Sequence, residues 1–354
     1  GQNVRFGQTF VERPLAASRP KPDHLVFVLG EQEYRMEPTG VDYEYAVTAD
    51  FPQKPQGYIT TPDLDGQGSV VTFGYSSEQG GIVSDSTEPI PFANSNAGEF
   101  TVTFNLKSFE GLPFIKLLFN DAEMTMVDND NYSIVTTLTQ NQTYTLTGVS
   151  DFADWDIDRD FFERADASNP EALTFLPMSG MYKVTANFKH RYLKIEAMKS
   201  ATELATLNDD GSGAIWAIGG MEVGKPTLKN AASWSPEDGG LCLARVADKK
   251  CQLTLVAGIS LNASSFDFKF FHQKTWGGEF GGKDISTASD LVKISDSGNL
   301  GLVEGKTLDL GGIYRFTVDI TGGNTAAVLT VEKVGEQQLP PADITVNGTP
   351  MTQL

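Results

Sequence analysis

Histidine and cysteine are nearly missing from this sequence, with three His and two Cys among 354 residues. His24, His190 and His272 stand far apart, and none has the spacing of a metal pair such as H-E-x-x-H. Two cysteines are too few for a disulfide framework. "GLCLARVADKKCQLTLVAG" reads as a hairpin turning near Ala247–Lys250, a register that sets Cys251 opposite Val246 rather than Cys242. Whether the two thiols are joined, and with it the redox compartment, stays open. No metal and no cofactor is expected.

Positive charge is also scarce. There are 27 Lys and Arg against 46 Asp and Glu, a net charge of −19. Such a field repels a phosphate backbone and an anionic membrane, and no basic stripe offsets it, so nucleic acid is excluded as a partner. Neutral ligands such as sugars remain compatible. No apolar run approaches the ~20 residues of a membrane-spanning helix. The chain begins "GQNVRFGQTF", without methionine, so the expectation is a trimmed chain whose targeting segment is not included. Signatures of catalysis are missing too: no G-x-S-x-G elbow, phosphate loop or dinucleotide fingerprint occurs.

What is present is alternation. Hydrophobic residues make up 40% and aromatics 10%, enough for a packed core. In "GEFTVTFNL" Phe100, Val102, Phe104 and Leu106 share one face while Thr101, Thr103 and Asn105 share the other. "HLVFVLG", "DYEYAVTAD", "SVVTFGYS", "FIKLLF", "NYSIVTTLTQ" and "QTYTLTGV" repeat the pattern between Gly, Pro, Asn and Asp. Only "SATELATL" suggests a helical turn. The expected class is all-β, in tandem antiparallel β-sandwich (immunoglobulin-like) modules.

An internal repeat organises the second half. "SGMYKVTANF" (Ser179–Phe188) matches "GGIYRFTVDI" (Gly311–Ile320), and each leads through a turn to a second strand, "LKIEAM" and "LTVEKV". These hairpins mark one module ending near Met198 and another near Val334. The expected division is an extended leader at 1–22, an N-terminal sandwich at 23–147, a short middle segment or truncated module with linker at 148–212, a C-terminal sandwich at 213–335 and a polar tail at 336–354. "LNDDGSG" is the expected linker.

Two acidic stretches, "VDNDNY" (Val127–Tyr132) and "DWDIDRD" (Asp154–Asp160), resemble fragments of calcium loops but lack the glycine and closing glutamate such a loop needs. Asx-rich turns explain them more simply. The tryptophans are more informative. Trp216, in "AIWAIGG", reads as core, and Trp234, in "NAASWSPEDGG", is open between core and ligand. Trp276 stands past the end of a strand, before Gly277 and Gly278, where glycines let a ligand or backbone approach closely. Aromatic faces hold flat sugar rings while polar side chains at the rim read hydroxyls.

"FDFKFFHQKTWGGEFGG" (Phe266–Gly282) resembles the F-K-F…W…Y/F-G-G signature of carbohydrate-binding modules in SusE/SusF-like proteins, cell-surface glycan-binding lipoproteins of polysaccharide-utilisation systems. The matching positions are Phe268, Lys269, Phe270, Trp276, Phe280, Gly281 and Gly282. The resemblance covers about 213–335. It implies tandem sandwiches, non-catalytic binding of an oligosaccharide or polysaccharide, and association with an outer-membrane glycan transporter. It also implies a surface-exposed outer-membrane location through a lipid anchor that this chain does not contain. It makes Trp276 and Trp234 stacking aromatics and Lys269 a hydroxyl donor. The insertion "FHQK" departs from the family pattern. It adds His272, Gln273 and Lys274 as residues that could read hydroxyls, with Glu279 beside them, so the glycan need not be starch.

Two other readings stay in play. One is a glycoside hydrolase or its ancillary domain, since 46 acidic residues could supply a carboxylate pair. The other is a structural or adhesion protein, in which all three C-terminal tryptophans would be core.

Overall fold

The computed structural model describes residues 21–340 apart from 64, 129, 150 and 165, together with the backbone of a short hairpin at 345–346 and 349–350. The expected leader at 1–22 therefore lies outside the described residues except for Lys21 and Pro22, as does most of the tail at 336–354. The chain is all-β, built of tandem β-sandwich modules. It divides into two compact units, Gly1–Lys116 and Leu117–Leu354.

In the first unit β1 (Leu25–Leu29), β2 (Gln32–Pro38), β3 (Glu44–Phe51), β4 (Tyr58–Thr60), β5 (Thr72–Ser76), β6 (Gly81–Ser84), β7 (Gly98–Asn105) and β8 (Gly111–Leu112) form one antiparallel sheet, ordered β6-β5-β4-β1-β2-β3-β7-β8. The alternation expected of β7 holds: Val102 and Phe104 are buried and Thr101 is exposed. Phe73 on β5 and Phe104 on β7 are far apart in strand order, yet their rings lie 5.1 Å apart. The sheet therefore folds over itself around a phenylalanine core.

The second unit holds two sandwiches. The first contains β9 (Leu118–Phe119), β10 (Ala122–Glu123), β11 (Thr125–Met126), β12 (Asn131–Leu138), β13 (Thr143–Thr147), β14 (Asp156–Ile157), β15 (Phe162–Glu163), β16 (Ala172–Phe175), β17 (Gly180–Asn187) and β18 (Tyr192–Ala197). The second contains β19 (Trp216–Gly219), β20 (Leu241–Cys242), β21 (Ala244–Ala247), β22 (Lys250–Val256), β23 (Phe268–Phe271), β24 (Ile285–Thr287), β25 (Val292–Ile294), β26 (Leu300–Leu302), β27 (Gly312–Asp319) and β28 (Ala327–Glu336). Strand for strand they are one topology. β10-β9-β13-β16-β15 answers to β20-β19-β23-β26-β25, and β11-β12-β17-β18-β14 to β21-β22-β27-β28-β24. Even the parallel edge recurs, β14 on β18 and β24 on β28.

The repeat seen in the closing hairpins thus extends over whole modules, and the middle segment is not truncated. The strands at 118–147, expected in the N-terminal sandwich, pair with 156–197 to complete it. In the closing hairpins Tyr182, Val184, Leu193, Ile195, Tyr314, Phe316 and Leu329 are buried in alternation, as the pattern predicts, and Val331, expected inward too, packs against the same core only partly buried.

"LNDDGSG" is an ordered turn rather than a slack linker. Asn208 N–H donates to the Ser212 carbonyl, and Leu207 N–H to the His272 carbonyl. A Cβ at Gly213 would sit 1.8 Å from the Thr206 carbonyl oxygen. "SATELATL" forms no helix; Met198 and Leu204 make an isolated antiparallel bridge instead. The cysteine hairpin carries a bulge, so Cys251 faces Arg245 and not Val246. Cys242 pairs with Trp216 in the other sheet. Both thiols are free and buried, and burial pushes that of Cys251 up to about 12.

Candidate functional site

The strand β23 alternates as Phe268 and Phe270 toward the core, Lys269 and Phe271 toward the opposite face. Past its end the chain returns as a tight loop. His272 N–H donates to the Gly278 carbonyl at 2.7 Å, Phe271 bridges Glu279, and Phe280 N–H donates to the Phe270 carbonyl. Gly277 and Gly278 have φ of +88° and +69°, the left-handed region a side chain resists. At the tip stands Trp276, 55% exposed. Its ring and that of Phe271 meet in a T-shaped contact at 5.9 Å, while more than half of the tryptophan stays open to solvent.

The loop is braced from within. Gln273 Nε2 donates to the Trp276 carbonyl at 2.8 Å, and Thr275 Oγ1 donates to the same oxygen at 3.0 Å. Gln273 therefore holds the loop rather than projecting as a free reader. His272 lies half-buried with its ring 4.5 Å from that of Phe280, and burial lowers its pKa, keeping the imidazole neutral. Glu279 is exposed beside the tip, its carboxylate 3.4 Å from Gly277 N–H.

Lys274 departs furthest from expectation. Its ammonium turns inward, donates to Glu196 Oε1 at 2.7 Å, and lies 5.8 Å from the centre of the Trp216 ring. Its side chain is only 9% exposed and that of Glu196 2%, so it is an anchor into the neighbouring sandwich, not a rim donor. Lys183 and Lys194 flank the other carboxylate oxygen at 3.2 and 3.5 Å. Burial alone would raise the Glu196 pKa, but Lys194, Lys274 and Lys183 outweigh it and bring it down to about 2.

Trp216 is core, as expected, with Nε1 donating to the Ala205 carbonyl of the neighbouring sandwich. Trp234 is half-buried, on the long connection between β19 and β20 that also carries α1 (Pro236–Gly239). Its N–H donates to the Gly219 carbonyl, and Gly219 sits opposite Phe268. The Trp234 backbone is thus fastened near the start of β23, and the Trp276 ring packs at its end. Lys269 lies between them, half-buried, with no hydrogen bond or ion pair among the described residues. Asn299 Nδ2 donates to Asp267 Oδ1 at 2.8 Å, two residues from Lys269 on the same face. The geometry is therefore a platform in which the exposed Trp276 ring and the unpaired Lys269 ammonium share one side of the sheet, with Trp216, Ile218 and Phe271 buried on that same side.

The repeat gives this platform an internal control. Trp155 occupies the connection between β13 and β14, as Trp276 occupies that between β23 and β24. Yet Trp155 is 3% exposed, packed edge-on to Phe188 at 5.0 Å. Two tryptophans in one topological slot have opposite fates.

The acidic stretches also find their places. Asp128 Oδ1 accepts from the N–H groups of Asp130 and Asn131, an Asx turn; Asn129 lies outside the described residues. In "DWDIDRD", Asp158 and Asp160 are buried against Lys225, whose ammonium is 2.9 Å from Asp158 and 3.3 Å from Asp160. Asp160 further accepts from Thr254 N–H and Oγ1, both at 2.6 Å, and from Gln252 Nε2 at 2.9 Å. The pair is a bolt between the two sandwiches. Nothing local in the sequence signals it, since Lys225 follows 65 residues after Asp160.

Residues 14–207, more than half of the chain, match a family described as domain of unknown function (DUF5125). The chain belongs to that family. Residues 210–321 match a second domain of unknown function (DUF5121). The seam between the two matches falls in the "LNDDGSG" turn. The DUF5125 match takes in the first unit and the sandwich with the buried Trp155, while the DUF5121 match takes in the platform. No curated protein matches the chain.

Proposed function

We propose that this protein is a non-catalytic binder of a neutral oligosaccharide or polysaccharide, with Trp276 as its principal stacking surface. The observation carrying this reading is the 55% exposure of Trp276 on a loop held rigid by its own hydrogen bonds. A bare indole on an ordered tip exposes apolar surface to water unless something covers it, and the C–H faces of a sugar ring suit it. Trp234, Lys269 and Glu279 supply the second aromatic and the polar rim. Net charge of −19 favours a neutral ligand. The resemblance of Phe266–Gly282 to SusE/SusF-like modules adds support, and with it a surface-exposed outer-membrane location through a lipid anchor and a partner glycan transporter.

Affinity electrophoresis and calorimetry against a panel of soluble polysaccharides test the reading. The expected result is retarded migration on at least one glycan, weakened at least tenfold in Trp276→Ala with an unchanged melting temperature. Retention of full binding by Trp276→Ala, or no binding to any glycan by folded protein, overturns it. Release of reducing sugar would favour a hydrolase instead.

A further inference from the structure

Two buried lysine–carboxylate clusters join the sandwiches of the second unit, and their charge balance is opposite. Around Glu196 three ammonium groups face one carboxylate, which stays ionised. At Lys225 one ammonium faces two carboxylates. The side chains of Lys225, Asp158 and Asp160 are 9%, 5% and 1% exposed, so water does little to screen the surplus negative charge. Desolvation raises the Asp158 pKa despite the pull of Lys225, and Asp160 adds to the rise. A protonated carboxyl is open to attack by an amine, and an ionised one such as Glu196 is not.

The geometry suits that attack. Lys225 Nζ lies 3.0 and 2.9 Å from Asp158 Oδ1 and Oδ2, which sets the carbon between them roughly 3 Å from the amine, a near-attack separation. The Lys225 carbonyl accepts from Asn230 Nδ2 at 2.6 Å, which pins the lysine backbone. Asp160 N–H donates to Asp158 Oδ1 at 3.1 Å and the Tyr192 hydroxyl to Oδ2 at 3.3 Å, both aimed where charge would develop on oxygen. The Asp160 carboxylate, fixed by Thr254 and Gln252, stands 3.3 Å from Nζ, near enough to take a proton as a bond forms. A cavity of about 60 Å³ adjoins the pair, lined by Asp158, Tyr192, Lys225, Thr254 and Ser260 among others, with space for a water and polar groups to receive it.

We propose that Lys225 and Asp158 condense to an intramolecular isopeptide bond, with Asp160 as proton relay and water as the leaving molecule. One ammonium proton crosses to Asp158 Oδ2, giving a neutral amine and a neutral carboxyl. The amine lone pair forms the Nζ–Cγ bond, and charge gathers on Oδ1 under the Asp160 N–H. Asp160 takes a second proton from the nitrogen and passes it to the Oδ2 hydroxyl. The Cγ–Oδ2 bond then breaks with its electron pair on oxygen, and water departs into the cavity. The third proton stays on the amide nitrogen, and Asp160 is left as it began. No oxidant or cofactor enters. The product staples one sandwich to the other, a covalent tie in a chain whose two thiols are free.

Mass spectrometry of the full chain, purified folded and then denatured, tests this. The expected intact mass is one water below that of the sequence, and digestion should yield a branched peptide joining the Asp158 and Lys225 segments. Lys225→Met and Asp158→Ala should each restore the full mass. Asp160→Asn, which keeps the side-chain shape, should lower the cross-linked fraction at least tenfold. The wild-type measurement depends on no variant folding. The full sequence mass in folded wild type overturns the proposal, as do a water loss mapped to any other site and a cross-linked fraction unchanged in Asp160→Asn.

Discussion

Lys274 and Glu196 meet at 2.7 Å in the interior, a lysine from the Trp276 loop joined to a glutamate on β18 of the preceding sandwich. The loop that presents the indole is therefore tied down from outside its own module. Glu196→Gln should destabilise the second unit by about 3–5 kcal/mol, the usual cost of stranding one partner of a buried pair. All four tryptophans lie beyond residue 116, so tryptophan fluorescence during denaturation follows that unit alone. An unaltered unfolding curve would contradict the assignment.

Acid should act through the same glutamate. The Glu196 pKa falls from its ordinary 4.5 to about 2 in the folded chain. A lowered carboxylate contributes stability that is complete above its unfolded pKa and lost as pH falls through its folded one. The contribution, about 3 kcal/mol from the size of the shift, should fade between pH 4.5 and 2. Wild type and Glu196→Gln should therefore differ in melting temperature at neutral pH and converge near pH 2. A gap that persists in acid counts against the pairing.

Lys225 stands between two buried carboxylates. Lys225→Met would leave Asp158 and Asp160 uncompensated and should cost about 3–5 kcal/mol. Hydrogen exchange would locate the loss, expected at β22 and the Asp156–Glu163 stretch rather than across β1–β8. Uniform protection in the variant would exclude the bolt.

The equivalent tryptophans should respond in opposite ways. Trp155→Ala empties a buried site and should destabilise by about 3–5 kcal/mol. Trp276→Ala removes an exposed ring and should stay within about 0.5 kcal/mol. Chemical denaturation of the two variants side by side makes the comparison, and similar losses would mean that Trp276 is structural.

Gly278 should matter for shape more than for stability. With φ of +69° and a Cβ that would come within 3.2 Å of the His272 Cβ, Gly278→Val should strain the loop by about 1–2 kcal/mol and loosen Trp276. Acrylamide quenching of the tryptophan emission should rise in this variant, and unchanged quenching would show a loop indifferent to the glycine.

The all-β class and the closing hairpins were legible in the sequence because alternation and turns are local. Trp276 was legible for the same reason: a strand ends, glycines follow, and the indole has no pattern to join. The border of the N-terminal sandwich was not. β9 and β10 are two residues each, too short to display alternation, and the pairing of β9 with β13 is decided by tertiary contact. Lys274 looked like a rim donor because Glu196 lies 78 residues earlier, and charge complementarity at that distance leaves no periodic trace. The equivalence of Trp155 and Trp276 is carried by strand order, which becomes visible only once the strands are paired.

The reach of Lys274 out of its own sandwich has a practical corollary. The platform is not a portable cassette: a fragment beginning after Gly213 would keep every residue of the Trp276 loop and lose its foundation. Lys274 would lie without its glutamate, the Trp216 Nε1 without the Ala205 carbonyl, and Leu207 could no longer clasp the His272 backbone. Transplanting the indole to another scaffold would require the pair of sandwiches as one graft.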